Sequence, residues 1–241
     1  MPPYKLYHFK SLTSTQDKAK EFAKRGLSDI IIISHTQTKG RGRFKRKWYS
    51  DKNGLWMSIL LKPKNVRNMQ YLTFAAAVSV VESIKKITKL NTNIKWPNDV
   101  HYKGKKLCGI LTEGIFGKEN FVAVGIGLNV NQNKFPHEIK NEAISLRMTK
   151  NKTIDIKKLS ENIMSAFFIL YNNYYTKNKL EYILKIWKKY CDTINKNIAV
   201  IARTGKLNGK CIGIDKNCNL LLKTKSSKTI KIVEGDIKVK Y

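Results

Sequence analysis

Two hydrophobic periods alternate along the first 175 residues. Residues 4–10 read as a short strand. The stretch "TSTQDKAKEFAKRG" then spaces Ala19, Phe22 and Ala23 as one helical stripe. Ser14 or Thr15 can cap that helix, Asp17 suits its first turn, and Gly26 stops it. "DIIIIS" is a continuous β-branched run of the kind that forms a strand buried on both faces. "GLWMSILLKP" predicts the next strand, closed by Pro63. "MQYLTFAAAVSVVESIKKI" is apolar nearly all round, which predicts a helix inside the core. Residues 92–116 read as strand, turn, strand, with the Tyr102–Lys105 turn built on Gly104, and "NFVAVGIGLNVN" as another buried strand. Residues 153–175 carry Leu159, Ile163, Phe167, Leu170, Tyr171 and Tyr174 on one helical side, and Leu180, Ile183, Leu184 and Trp187 repeat the spacing in a second helix.

After Cys191 the pattern shortens. "NIAVIART", "LNGKCIGI", "NLLLKT" and "TIKIVEGDIKVKY" read as short strands, with turns at Leu207–Lys210 and Asp215–Asn219. The expected fold is α+β: a mixed or antiparallel sheet backed by helices over residues 1–192, then a small β-barrel over 193–241.

Charge changes the picture less than its size suggests. The 241 residues include 47 basic and 17 acidic side chains, a net +30. Taken alone, that favours a nucleic-acid partner. The lysines are spread along the whole chain, however, and a dispersed bias gives nonspecific, salt-sensitive binding to any polyanion. No apolar run reaches the roughly 18 residues of a membrane helix, and "MPPYKLYHFK" lacks the core of a secretory signal. Four cysteines stand far apart with no C-x-x-C pair, so neither a disulfide framework nor a zinc site is expected. The chain reads as intracellular, reduced and cytoplasmic.

Several motifs fail. "GRGRFK" has Lys45 where a dinucleotide fingerprint needs its third glycine. "GKLNGKC" has the wrong spacing for a phosphate loop and ends on Cys211. The histidines are isolated, and no G-x-S-x-G elbow is present.

Three segments remain that a plain core does not explain. "KGRGRFKRKW", residues 39–48, sets arginines able to fork onto phosphate or carboxylate beside glycines and a flat indole. The alternative is a solvated surface loop. "KWPNDVHYKGKKLCGIL", residues 95–111, breaks at Pro97 and brings Lys95, Asn98, Asp99 and Lys106 together across one hairpin, a set suited to polyphosphate and Mg²⁺. An ordinary turn also uses Asn and Asp after proline. In "GIGLNVN", Asn129 ends a buried strand, as a plain strand end also would.

Taken in order, "STQ" (14–16), Gln37 followed by "GRGRFKRKW", "KWPND" (95–99), "KLCGIL" (106–111) and "GIGLN" (125–129) resemble the motifs of biotin protein ligases, and the tail with "EGDI" resembles that family's SH3-like C-terminal domain. The resemblance covers essentially the whole chain. It implies a class II synthetase-like catalytic domain that converts biotin and ATP to biotinyl-5′-AMP and pyrophosphate. The biotinyl group then passes to a lysine of a biotin carboxyl carrier domain. Some members carry an N-terminal DNA-binding domain; this chain starts at the catalytic domain, so a repressor role and a specific nucleic-acid partner are not implied. A lipoate ligase of related fold and a basic nucleic-acid-binding module remain the alternatives.

The resemblance also implies roles. Arg41 and Lys106 lie near the biotin carboxylate and the α-phosphate. The protonation cost of a target lysine is a separate argument, and it makes Asp99 the candidate acceptor of its proton. Ser14, Thr15, Gln16 and Gln37 belong to the biotin side together with Arg41, Gly42, Arg43 and Lys106; Gln16 stands where the family usually has Asn. Arg43, Arg46, Trp48, Asn98, Lys106 and Asn129 belong to the adenylate side, with Mg²⁺ near Asn98 and Asn129. A homodimer through a sheet edge is expected, as is a loop at 39–48 kept mobile by its own charge until ligand arrives.

Overall fold

The apolar runs form strands covered on both faces. In the computed structural model, which describes residues 4–202 and 205–239, every position of β2 (Ile30–Ser34) and β3 (Leu55–Leu61) is buried. These join β1 (Lys5–Phe9), β4 (Asn93–Lys95), β5 (Asp99–Tyr102), β6 (Lys105–Ile115) and β7 (Phe121–Leu128) in one seven-stranded sheet, ordered β1-β2-β3-β7-β6-β5-β4. Only β1 and β2 run parallel; the other pairs are antiparallel, so the sheet is mixed.

Helix α1 (Thr15–Lys24) covers one face, packing Ala19, Phe22 and Ala23 on Ile30, Ile32, Leu60 and Ala123. Helix α2 (Gln70–Thr88) covers the other, and α4 (Ile156–Leu170) and α5 (Leu180–Tyr190) pack behind it. Being enclosed on all sides, α2 is apolar all round. Phe74 of α2 stacks on Trp187 of α5 with ring centroids 4.0 Å apart; truncating a ring buried this fully costs about 3–5 kcal/mol. A one-turn helix, α3 (Leu146–Lys150), precedes them, and α4 runs on into a wider turn over Tyr171–Tyr175.

The tail forms a second antiparallel sheet of β8 (Asn197–Ala202), β9 (Gly205–Ile214), β10 (Leu220–Lys223), β11 (Thr229–Ile232) and β12 (Asp236–Val239), ordered β11-β10-β9-β8-β12. Two hydrogen bonds fasten it to the large sheet and its helix: Trp96 Nε1 donates to the Cys218 carbonyl at 2.9 Å, and Tyr71 donates to that of Lys216.

One expected turn is a correction. Leu207–Lys210 lie inside β9, paired with β8 on one side, and Lys210 also pairs with Lys223 of β10. The Asn-Gly signal fails because Gly209 serves close packing: a Cβ there would collide with the Lys223 carbonyl oxygen. The outer edges of the large sheet also differ from each other. β4 is covered by residues 191–192, where the Asp192 amide donates to the Ile94 carbonyl at 3.1 Å. Among the described residues, β1 has no partner strand on its outer side.

Candidate active site

A cleft of about 850 Å³ opens over β6 and β7, between α1, the 39–48 loop and the start of β12. Every residue the sequence reading selected lines it: Ser14, Thr15, Gln16 and Gln37 at one end; Arg41, Gly42, Arg43, Arg46 and Trp48 on the loop; Asn98, Asp99, Lys106 and Asn129 on the sheet. The floor is made of strand backbone at Gly109, Gly125 and Gly127. Trp48 lies flat against two of these glycines: a Cβ on Gly127 would stand 2.5 Å from its Nε1, and one on Gly109 would stand 3.2 Å from its Cζ3. Glycine is required here for close approach, not for its torsion angles.

At the α1 end most polar atoms are engaged with one another. The Ser14 hydroxyl caps the helix, accepting from the Gln16 amide at 3.2 Å. Thr15 donates its amide and hydroxyl to Gln37 Oε1 at 2.8 and 3.1 Å, and its hydroxyl accepts from Ser58 at 2.8 Å. Gln37 Nε2 in turn donates to Ser50 at 2.8 Å. Gln16 differs. Its Nε2 donates to Glu113 at 2.8 Å, but its Oε1 is buried beside Gly125 with no hydrogen bond. A buried acceptor left bare is costly, and so is primed for a ligand N–H.

The loop is folded. Gly42 donates to the Arg46 carbonyl at 2.8 Å and Trp48 to that of Gly40 at 2.9 Å, with a short 3₁₀ turn at Arg43–Lys45 between them. The expected mobility assumed unopposed repulsion, and carboxylates oppose it. Arg41 pairs with Asp17 at 2.7 Å and Glu113 at 3.2 Å, and Arg46 pairs with Asp236 of β12. Arg41 is therefore already balanced in this structure. Arg43 is not: it donates to Asn98 Oδ1 at 3.2 Å and the Gly235 carbonyl at 3.4 Å, with no carboxylate in ion-pair range among the described residues. Burial pushes its guanidinium below its ordinary pKa, while Asp236, Asp99 and Glu234 pull the other way. It remains charged, and of the three loop arginines it is the one whose hydrogen-bond acceptors are neutral.

On the floor, Lys106 Nζ meets Asp99 Oδ1 at 2.7 Å and stands 5.3 Å over the Trp48 ring. The hairpin explains this: β5 and β6 pair antiparallel around Gly104, with an irregular register after Val100. Burial alone would raise the Asp99 carboxyl; Lys106 and His101 outweigh it and hold the group well below the usual carboxylate range. Asn98 donates to the Ile110 carbonyl at 2.7 Å, and Asn129 donates to the Lys106 and Ile144 carbonyls at 3.4 and 3.2 Å.

Sequence reasoning missed the acidic partners Asp17, Glu113 and Asp236. Asp17 read as a helix-dipole partner, Glu113 as one polar residue in a strand, and Asp236 only as part of a domain signature. It also missed His101, a ring beside Asp99 with nothing in its spacing to flag it. Cations on a flat apolar floor can hold two anions close together, which is what an adenylating enzyme must do.

Comparison with known proteins agrees. Residues 7–131 match the biotin/lipoate A/B protein ligase family, and residues 193–240 match the biotin protein ligase C terminal domain. The bifunctional ligase/repressor BirA of Bacillus subtilis is 37% identical over 246 residues, covering 99% of this chain and 75% of that protein. The biotin–[acetyl-CoA-carboxylase] ligase of Mycobacterium tuberculosis is 34% identical over half of this chain and 46% of its own length. Among solved structures, the biotin protein ligase from Aquifex aeolicus in complex with biotin and ATP superposes with a TM-score of 0.87 at 30% identity over 98% of both chains. The chain belongs to the biotin/lipoate A/B protein ligase family, in the biotin protein ligase form with a C-terminal β domain.

Proposed function

We propose that the protein activates biotin with ATP as biotinyl-5′-AMP and transfers the biotinyl group to a lysine of a biotin carboxyl carrier domain. The observation that carries this reading is the Lys106–Asp99 pair, 2.7 Å apart on a floor of bare strand backbone, with Arg43 across the cleft. In the first step a carboxylate attacks a phosphate, and both reactants are anions. Lys106 and Arg43 neutralise the charge that builds up at the reacting oxygens, in a site partly shielded from water. The Gln16 acceptor, bare and buried at the far end, suits an N–H of the ureido ring.

Mg²⁺ fits as a passenger on ATP. No group of three or more His, Cys, Asp or Glu side chains that could hold a metal occurs among the described residues. Asn98 and Asn129 offer only amide oxygens, and that of Asn98 already accepts from Arg43. Mg²⁺ is commonly held by one or two protein groups plus substrate phosphates. When bound, it would draw charge from the phosphate oxygens; the chain's own part is to orient them.

In the second step the target lysine must lose a proton. At pH 7 only about one lysine in 2,500 is neutral, a cost of about 4.6 kcal/mol. Asp99, at the floor where the mixed anhydride would lie, is the proposed acceptor. No described helix is long and apolar enough to cross a membrane, and the four cysteines are free, which suits a reducing, cytoplasmic setting. A homodimer through the outer edge of β1 completes the proposal.

The test is pyrophosphate release on mixing the protein with ATP, Mg²⁺ and biotin, with lipoate in a parallel arm. Release with biotin alone supports the reading. Release with lipoate alone would replace it, and release with neither would remove adenylation altogether.

A further inference from the structure

His8, His35 and His137 are exposed; His101 is only 7% exposed and lines the cleft. It follows Asp99 by two residues on β5 and faces Lys106 across the pair with β6. Its Nδ1 lies 3.2 Å from the Gly104 carbonyl oxygen. A carbonyl only accepts, so Nδ1 carries the hydrogen. Nε2 is then buried with no hydrogen bond, 3.8 Å from Asp99 Oδ2. In the neutral ring a bare lone pair faces a carboxylate; a proton at Nε2 would turn that opposition into attraction. The other oxygen of the same carboxylate meets Lys106.

Asp192, after α5, also acts on the ring and is itself flanked by Lys95 on β4; the Glu142 backbone carbonyl accepts from the Lys106 amide at 2.7 Å. Burial pushes the Asp192 carboxyl up, and His101 and Lys95 draw it down. The ring thus lies under the influence of two carboxylates on one wall of the cleft, and the nitrogen nearer Asp99 is buried without a hydrogen bond.

This bears on the transfer step. A carboxylate paired with Lys106 is a poor final holder of a proton, so the proton from the target lysine needs a better base within reach. Building on the transfer reading above, we propose that His101 is a positioning residue that acts through Asp99, taking up at Nε2 the proton that Asp99 relays from the acceptor ammonium. One ammonium N–H bond breaks, and its proton passes by an Asp99 oxygen to Nε2. The freed lone pair forms the amide bond to the biotinyl carbonyl. The AMP oxygen leaves with the bonding electrons of the anhydride, and the second amine proton goes to that phosphate. Once AMP has left, the imidazolium returns its proton to solvent entering the cleft that the ring lines.

The test compares the parent protein with His101→Gln in single-turnover transfer from biotinyl-AMP to a biotin carboxyl carrier domain, from about pH 5 to about pH 9. Ionisation of the acceptor lysine is common to both and cancels in the ratio of rates. The ratio should rise with pH, from near one at the acid end to about tenfold or more at the alkaline end. Biotinyl-AMP formation should stay within about twofold, which also reports a folded variant. A ratio flat with pH, while both proteins still make the adenylate, would overturn the proposal. If the parent makes no biotinyl-AMP, the fault lies with the transfer reading instead. Nitrogen NMR of the parent imidazole tests the geometry without any variant: the neutral ring should carry its hydrogen on Nδ1 and titrate at Nε2. A neutral ring with hydrogen on Nε2 would end the proposal.

Discussion

Replacing Lys106 by Ala removes one charge from the cleft floor, and the structure separates its two effects. At 2.7 Å the Lys106–Asp99 attraction is roughly 6 kcal/mol gross at an effective dielectric of about 20. Little of that is net. Forming the pair costs desolvation of both ions, and the Lys106 side chain is still 32% exposed. Breaking a fully buried pair costs about 3–5 kcal/mol; the partial exposure of Lys106 brings this to about 1–3 kcal/mol. A domain with roughly 5–15 kcal/mol of stability survives that. The catalytic effect is larger relative to its margin. Losing one preorganised donor at a reacting oxyanion costs about 2.7–4 kcal/mol, or roughly 10²–10³ in rate. Single-turnover formation of biotinyl-AMP should therefore fall by about 10²–10³, while urea denaturation shows a folded, slightly weaker protein. Lys106→Met separates charge from packing, since its stem can still lie over Trp48. If charge is the cause, Met is as slow as Ala. Adenylation at the parental rate in either variant, or full recovery in Met, would refute the argument.

Four further outcomes follow from the same geometry. Asp99→Asn should slow transfer to the carrier more than biotinyl-AMP formation, and equal loss in both single-turnover assays would point to positioning alone. Because Asp99 sits below its unfolded value, it should add stability that is complete above about pH 5 and drains away as pH falls through the folded value; urea midpoints between pH 7 and 3 should fall less steeply in Asp99→Asn. Gly127→Ala must push the Trp48 indole off the floor, where a Cβ would stand 2.5 Å from Nε1, and should raise the apparent KM for ATP and biotin about tenfold, whereas Gly109→Ala, at 3.2 Å, should be milder; equal, parental KM values in both would show that the indole's seat is irrelevant. Sedimentation should find a dimer through the outer edge of β1, and a monomer at all working concentrations, with and without ligand, would remove it.

Much of this was legible in the sequence because local chemistry decided it. The Ile30–Ser34 run has one solution, a strand covered on both faces, and an all-round apolar helix has one place, inside the core. The 39–48 loop and the 95–111 hairpin were also legible, because glycines, arginines and a proline-broken hairpin are poor core material; Ser14, Thr15, Gln16 and Gln37 were legible only through the resemblance to biotin protein ligases. What the sequence hid was pairing at a distance. Arg41 meets Glu113 across 72 positions, and Arg43 meets Gly235 across 192. No local period encodes such contacts. The Leu207–Lys210 turn failed for the same reason: the neighbour that needs Gly209 to be small is Lys223, which local spacing cannot place.

Those distant carboxylates also change how the basic loop reads. As sequence, residues 39–48 are six like charges, and their repulsion argues for disorder or for a polyanion partner. As structure, two of the three arginines carry their own counter-ions, each from a different element: α1 and β6 for Arg41, β12 for Arg46. Each pair fixes the loop to one wall of the cleft, so the charge that seemed to oppose folding is what closes the site. An extended polyanion would have to compete with all of these pairs at once. A single small anion needs only the arginine whose acceptors are neutral, Arg43, together with the lysine on the floor opposite. The net charge of +30 therefore says little about the ligand; the distribution of 17 acidic side chains says more, because it determines which cations remain free to bind.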